Sequence, residues 1–158
     1  MNELPSISAI PAKLTLSLGD RGERLGAEFL IEKGYRLVVS NFKAPVGRNS
    51  KGVQVTGEID IIALDGDTLC FVEVKTRRSE EFTPVLSNVD TRKQRQITRT
   101  SKVYRKIFGI KDMPYRYDVL TVLMPHHADT TIELTKGFWN ENKFRKQTWH
   151  HETWHEFA

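Results

Sequence analysis

The chain has 158 residues, 39% of them hydrophobic and 28% charged, with a net charge of +4, which suits one hydrophobic core in a water-exposed domain. No stretch approaches the ~20 apolar residues of a membrane helix, and Met1 to Leu18 lacks the basic start and sustained apolar run of a signal peptide. No membrane partner is therefore expected, and the single Cys70, which has no internal partner for a disulfide, agrees with a reducing cytoplasmic location.

In chain order, residues 1–17 read as an arm. A first helix is expected from Asp20 to Lys33, with Gly34 ending it. Leu25, Phe29 and Leu30 form its apolar side. Tyr35 to Asn41 reads as a strand. Lys43 to Thr56 is polar and contains glycine, with Lys43, Arg48 and Lys51 among its residues. It is expected to be a loop, either a tolerated surface insertion or a basic flap over a substrate. Two further strands follow, Gly57 to Leu64 and Thr68 to Lys75, joined by Asp65-Gly66, a good hairpin signal. Their apolar residues, Ile59, Ile61, Ile62, Leu64, Phe71, Val72 and Val74, occur at both parities. Such runs mark strands covered on both faces, as in the middle of an α/β sheet.

The charges set into those two strands are the main chemical signal. Side chains alternate between faces along a strand, so Glu58 and Asp60 should share a face with Ile62 and Leu64. Glu73 and Lys75 share a face of the next strand. The hairpin brings Asp60 and Glu73 side by side. Two carboxylates on adjacent strands offer hard oxygen ligands to Mg²⁺ or Mn²⁺, and a lysine beside them suits metal-assisted phosphodiester cleavage. The alternative is a charged outer face on a half-exposed hairpin, or a Glu73–Lys75 salt bridge. Against the first, charges between covered strands are buried and need a partner or a metal.

Polar residues from Thr76 to Val89, with Pro84 among them, form a connection. Asn88 or Asp90 can cap a second helix that runs through Phe108 and stops at Gly109. Ile97, Ser101, Tyr104 and Phe108 mark its inner stripe. Thr91 to Phe108 carries seven basic residues and no acidic one. That run is either a solvated basic face or a grip on phosphates, with the helix N-terminus adding its free N–H groups. Arg92, Lys93, Gln94, Arg95 and Arg99, with Lys51 of the polar loop, are the candidate nucleic-acid contacts. Strands are expected from Tyr115 to Met124 and from Thr130 to Leu134. Asp118 has no role in this reading beyond a polar contact within the sheet.

Gly57-Glu58-Ile59-Asp60-Ile61-Ile62-Ala63, followed by Phe71-Val72-Glu73-Val74-Lys75-Thr76-Arg77, resembles the YraN-like family of small bacterial proteins. That family is placed in the PD-(D/E)XK nuclease superfamily and is similar to archaeal Holliday-junction resolvases. The resemblance takes in Gly22 to Glu28, Gly34-Tyr35, Lys93-Gln94-Arg95 and Tyr115 to Val119, and spans about residues 18–138. It implies a restriction-endonuclease-like α/β fold, a central mixed sheet flanked by helices, as the domain of residues 18–138. It also implies a Mg²⁺- or Mn²⁺-dependent endonuclease acting on DNA, branched or recombination DNA by analogy, and a homodimer. By the same resemblance a first-helix glutamate completes the carboxylate cluster. Glu28 is the candidate, although its spacing alone favours a solvated residue paired with Arg24. The expected catalytic set is Glu28, Asp60, Glu73 and Lys75, with Asp60, Glu73 and Glu28 as metal ligands. Lys75 would orient or help deprotonate the attacking water.

Two other classes of function stay open. One is a nucleic-acid-binding protein on the same fold that cleaves poorly or not at all. The other comes from the aromatic and His-rich tail, residues 139–158, where His151-Glu152-Thr153-Trp154-His155 matches the helical zinc motif of metalloproteases. Only three residues follow it, which leaves no downstream third ligand, so a metalloprotease is the remotest of the three readings.

Overall fold

The computed structural model describes residues 17–79 and 89–145. Residues 1–16 of the arm, most of the connection after Thr76, and the tail beyond Arg145 with its His-Glu-x-x-His motif lie outside the described residues.

The first helix, α1, spans Leu18–Glu32. Ser17 caps it: its hydroxyl accepts from the Asp20 N–H at 3.1 Å while the Asp20 carboxylate accepts from the Ser17 N–H at 3.2 Å. This reciprocal pair satisfies donors that the first turn leaves free. Gly34, at φ +92°, turns the chain out of the helix in a conformation that a Cβ would strain. The strands are β1 (Arg36–Arg48), β2 (Gln54–Asp65), β3 (Thr68–Arg77), β4 (Tyr115–Leu123) and β5 (Thr131–Trp139), with α2 (Thr91–Ile107) between β3 and β4. They form one sheet in the order β1-β2-β3-β4-β5. Only the β3–β4 pair is parallel, and α2 is the crossover it needs.

The sheet is covered on both faces, as the mixed parity of its apolar residues requires. On one side α1 packs Leu30 onto Ile61, Ala63, Val72, Val74, Leu120 and Val122. On the other, α2 packs Ile97 and Tyr104 onto Ile59, Ile62, Phe71, Tyr117, Val119 and Trp139. The fold is thus α/β, a mixed sheet flanked by helices, of restriction-endonuclease-like type. Part of the α2 contact is polar. Trp139 donates to the Thr98 hydroxyl at 2.9 Å, and the Ser101 and Tyr117 hydroxyls share a hydrogen bond of 2.5 Å. Each buried polar group there has a partner, which removes the cost of burying it.

Two segments depart from expectation. The polar stretch from Lys43 to Thr56 is a β-hairpin arm rather than a loop: β1 and β2 pair as far as Arg48 and Gln54. Its tip is closed by Asn49, whose side-chain oxygen accepts from the N–H groups of Lys51 and Val53. Backbone pairing holds this arm, so it leaves little apolar periodicity to read. Pro45 and Gly47 look like loop residues yet are tolerated on an edge strand. The second departure lies at the far end. β5 continues to Trp139, which stacks on Tyr117 at 4.9 Å. A 3₁₀ turn, Glu141–Phe144, then places the buried Glu141 carboxylate 3.0 Å from Arg105. Packing on the α2-side core therefore continues past Phe138, as far as Phe144.

Candidate active site

Asp60 sits where the β2–β3 ladder opens. The pairing runs from Asp65–Thr68 back to Ile61–Val72. Beyond it the two strands part, and the Asp60 carboxylate takes the place of a ladder partner by accepting from the Val74 N–H at 2.8 Å. Ile59 and Ile62 both belong to the core on the α2 side. Strict alternation would put them on opposite faces, so the alternation breaks between them. Asp60 therefore does not simply share a face with Ile62 and Leu64. It lies at the seam, lining the α1-side cleft while its charge acts on Glu73. Asn41, opposite it on β1, is the only described residue other than glycine with a positive φ, +53°.

Glu73 comes next after the last residue of β3 that pairs with β2 and faces α2, since its neighbours Val72 and Val74 face α1. It is 3% exposed, and its Oε2 has no hydrogen-bond partner. Its Oε1 lies 3.3 Å from Lys75 Nζ and 3.8 Å from Lys93 Nζ. Burial, and then the nearby Asp60 carboxylate, push the Glu73 carboxyl up to about 7 against the pull of the two lysines. The structure thus brings together three of the expected residues, Asp60, Glu73 and Lys75, and adds Lys93 from the first turn of α2.

Glu28 is not brought to them. It is exposed and pairs with Arg24 at 3.6 Å, one turn back on α1. Two helix carboxylates reach the cleft, Asp20, which is engaged in the Ser17 capping box, and Glu23. Glu23 lines an open cleft of about 450 Å³ with Asp20, Asn41 and Asp60. Partial burial, then the charges of Asp60, Glu58 and Asp20, raise its carboxyl to about 7. The reason lies in how α1 docks. The helix presents Gly22, Gly26 and Leu30 to the sheet, all buried. Measured from Gly22, Glu23 lies about 100° round the helix on the β1–β2 side, whereas Glu28 lies about 120° round the opposite way. Leu25, Phe29 and Leu30 span about 140° of the same side, and Glu23 flanks Leu30 by about 20° while Glu28 lies about 60° beyond Leu25; two of the three buried residues are glycines, which carry no hydrophobic signal. Glu23 was within reach of sequence reasoning through its place seven residues before Leu30, about 20° from it around the helix.

The remaining candidates fall into place around α2. Asp90 caps the helix, accepting from the Lys93 N–H at 2.9 Å. Gln94 is buried, donating to Val89 O and accepting from Lys143 Nζ at 3.0 Å. Its amide is thus engaged in the fold and turned away from solvent. Arg92, Lys93, Arg95 and Arg99 line a cleft against Arg48 and Asn49 of the hairpin arm. Lys51 is exposed at the tip of that arm. Asp118 is fully buried. Both its oxygens accept from Arg116, at 2.7 and 3.0 Å, and one accepts from the Gly137 N–H. That set of bonds ties β4 to β5 across a register shift, a structural role.

The donor set suits a hard divalent cation. Glu73 offers a buried, unpartnered oxygen, and Asp60 is its neighbour across the seam. Among the described residues no three Asp, Glu, His or Cys side chains already stand as a complete ligand cluster. Asp60 and Glu73 would hold the ion, with Glu23 the next carboxylate in reach of the cleft.

This arrangement defines a class: an α/β domain of restriction-endonuclease-like fold with an acidic seam and a lysine at the edge of two central strands. Residues 22–122 match the model of uncharacterised protein family UPF0102, the YraN family, and the chain belongs to that family. It is 42% identical to a UPF0102 protein of Chlorobium limicola over 68% of this chain and 75% of that one. A Geotalea uraniireducens UPF0102 protein is 38% identical, over 76% and 87%. One from Chlorobium chlorochromatii is 39% identical over 83% of this chain and 98% of its own length. Among solved structures, the crystal structure of SSO0001 aligns with a TM-score of 0.36 at 15% identity, over 80% of this chain and 54% of that one, too loosely to support an argument.

Proposed function

We propose that this protein is a Mg²⁺- or Mn²⁺-dependent nuclease that hydrolyses phosphodiester bonds at the Asp60–Glu73 seam. The observation that carries the reading is the Glu73 carboxylate: 3% exposed, one oxygen with no donor, against the Asp60 carboxylate and beside Lys75. A fold gains nothing from an unpaired buried oxygen, whereas a cation site needs one. A divalent ion bound there supplies positive charge to polarise the scissile phosphate. Asp60 is held in place by the Val74 N–H, so its free oxygen is already oriented. Lys75 donates toward the same spot. It positions the attacking water and stabilises the negative charge that builds on the phosphoryl oxygens. Lys93 approaches from the α2 side, where the phosphates flanking the cut would lie.

A second reading has its own observation. Glu73 Oε1 is already near two ammonium groups, as in a nucleic-acid-binding domain that keeps the cluster as an internal salt bridge. A panel of labelled DNA and RNA structures, incubated with Mg²⁺, Mn²⁺ or chelator, separates the two. The nuclease reading expects metal-dependent cleavage, abolished in Asp60→Asn, Glu73→Gln and Lys75→Ala while Lys75→Ala keeps most of its nucleic-acid affinity. Calorimetric Mn²⁺ titration should show weaker binding in the first two variants. Unchanged Mn²⁺ affinity in both, or wild-type cleavage by Lys75→Ala, would sink it.

A further inference from the structure

The basic face of α2 extends well beyond the phosphates nearest Glu73. Arg92, Arg95, Arg99 and Lys102 recur three, four and three residues apart, a spacing that sets them in one row along the helix. Among the described residues, Arg92, Arg95 and Arg99 have no carboxylate within salt-bridge distance, while Lys102 pairs with Glu141 at 3.4 Å. The row lines two clefts. One, of about 550 Å³, lies between α2 and the hairpin arm. The other, of about 270 Å³, lies further along α2 and is bounded by Phe144. Arg95 and Arg99 wall both, so the two adjoin along α2 as a basic channel. Lys93 lines its near end, 3.8 Å from Glu73.

Phe144 is the aromatic wall of this channel. The residue packs on the α2-side core and is half-buried. The Arg95 guanidinium lies 5.6 Å from the ring centroid and Lys143 Nζ lies 5.7 Å from it. An aromatic ring flanked by cations in a basic cleft is the arrangement that stacks an unpaired base while its phosphates are held. In a duplex both faces of each base are already stacked, so such a ring gains nothing from it. The row from Arg92 to Lys102 rises about 15 Å along the helix, roughly the length of four nucleotides of strand at 3.4 Å each.

We infer that this channel holds a single nucleic-acid strand running from the Asp60–Glu73 seam, with an unpaired base stacked on Phe144. The inference rests on the nuclease reading and narrows its substrate class to nucleic acid with a single-stranded arm next to the cut.

The test is fluorescence anisotropy in chelator, so that nothing is cleaved. The probes are a labelled single strand, a blunt duplex and a duplex with a single-stranded arm, each as DNA and as RNA. Wild-type protein should bind the single strand and the armed duplex more tightly than the blunt duplex. Phe144→Leu keeps the apolar bulk that packs on the core and removes the ring. It should lose roughly tenfold in affinity for the first two probes and none for the blunt duplex, while Phe144→Tyr retains the wild-type pattern. Arg95→Gln with Arg99→Gln should weaken all three. A Phe144→Leu loss shared equally by the blunt duplex, no loss at all, or a wild-type preference for the blunt duplex would overturn the inference. So would displacement of the strand by polyglutamate at equal charge, which would identify an acidic peptide as the occupant. Failure of the nuclease reading looks different: the same binding pattern, with no probe cleaved under any metal.

Discussion

Glu73 is a residue whose cost to the fold is measurable. Its carboxyl is raised from the ordinary 4.5 to about 7, so the folded state holds this proton more tightly than the unfolded chain does. The stability it contributes is full below about pH 4.5 and is lost as the pH rises through about 7. Glu23, raised over the same range, adds to the trend. In chelator, the metal-free protein should therefore lose stability between pH 4.5 and 7. Glu73→Gln, which cannot ionise, should be more stable than wild type at pH 8 by an amount on the order of 2 kcal/mol, with the gap closing toward pH 4. Thermal melts across pH test this. A Glu73→Gln variant less stable than wild type at pH 8 would show that Lys75 and Lys93 more than offset the burial of the charge. Divalent ion should reverse the ranking, since only wild type gains stability from binding it.

At the scale of the element, α1 decides which glutamate reaches the seam. A Cβ on Gly26 would come 2.5 Å from Leu120 Cδ2, and one on Gly22 would run into the Thr76 side chain. The helix lies this close to β3 only because both positions lack a side chain. Replacing an exposed helical glycine by alanine ordinarily stabilises by up to about 1 kcal/mol. Here Gly22→Ala should instead destabilise, by about 1–3 kcal/mol from overpacking, and should move Glu23 away from Asp60. Adding Thr76→Ala should recover part of the stability. Urea denaturation of the two variants checks the sign, and cleavage assays check whether displacing Glu23 lowers activity. The far end of the sheet has a comparable fixture. Trp139 is stacked on Tyr117 and bonded to Thr98, so Trp139→Ala should cost about 3–5 kcal/mol, and a loss under 1 kcal/mol would place the edge of the core before it.

For the whole molecule, the charge is arranged rather than merely present. The acidic groups Asp20, Glu23, Glu58 and Asp60 gather on the α1 side of the seam. Arg48, Arg92, Arg95 and Arg99 gather between the hairpin arm and α2. The two amides in that cleft are engaged in the fold, Gln96 with Thr56 O and Asn49 with the hairpin tip, so phosphate contacts should dominate and affinity should be largely independent of sequence. Binding should weaken steeply with salt. Charge reversal at Arg92 and Arg95 should lower affinity for unrelated sequences about equally and flatten the slope of log K against log salt. Affinity that is insensitive to salt, or undiminished by both reversals, would rule out α2 as the phosphate-binding surface.

Much of this was carried by local pattern. Apolar residues at both parities of β2 and β3 marked a sheet covered on two faces, and the Asp65-Gly66 turn was enough to set Asp60 opposite Glu73. The Asp90 cap and the basic run of α2 were equally legible, because capping and helical periodicity act over a few residues. Other features depend on contacts between distant segments. Glu23 lines the cleft with Asp60 and Glu28 does not because α1 docks through Gly22 and Gly26 onto Thr76 and Leu120, a contact that only the folded chain makes. The arm from Lys43 to Thr56 is held by backbone pairing, which any side chains can accompany. Trp139 and Glu141 join the core through Tyr117, Thr98 and Arg105, residues brought to them only once β4 and α2 are in place. Local sequence set the elements and the carboxylate pair; the packing of helix on sheet decided which third carboxylate, and which second lysine, they meet.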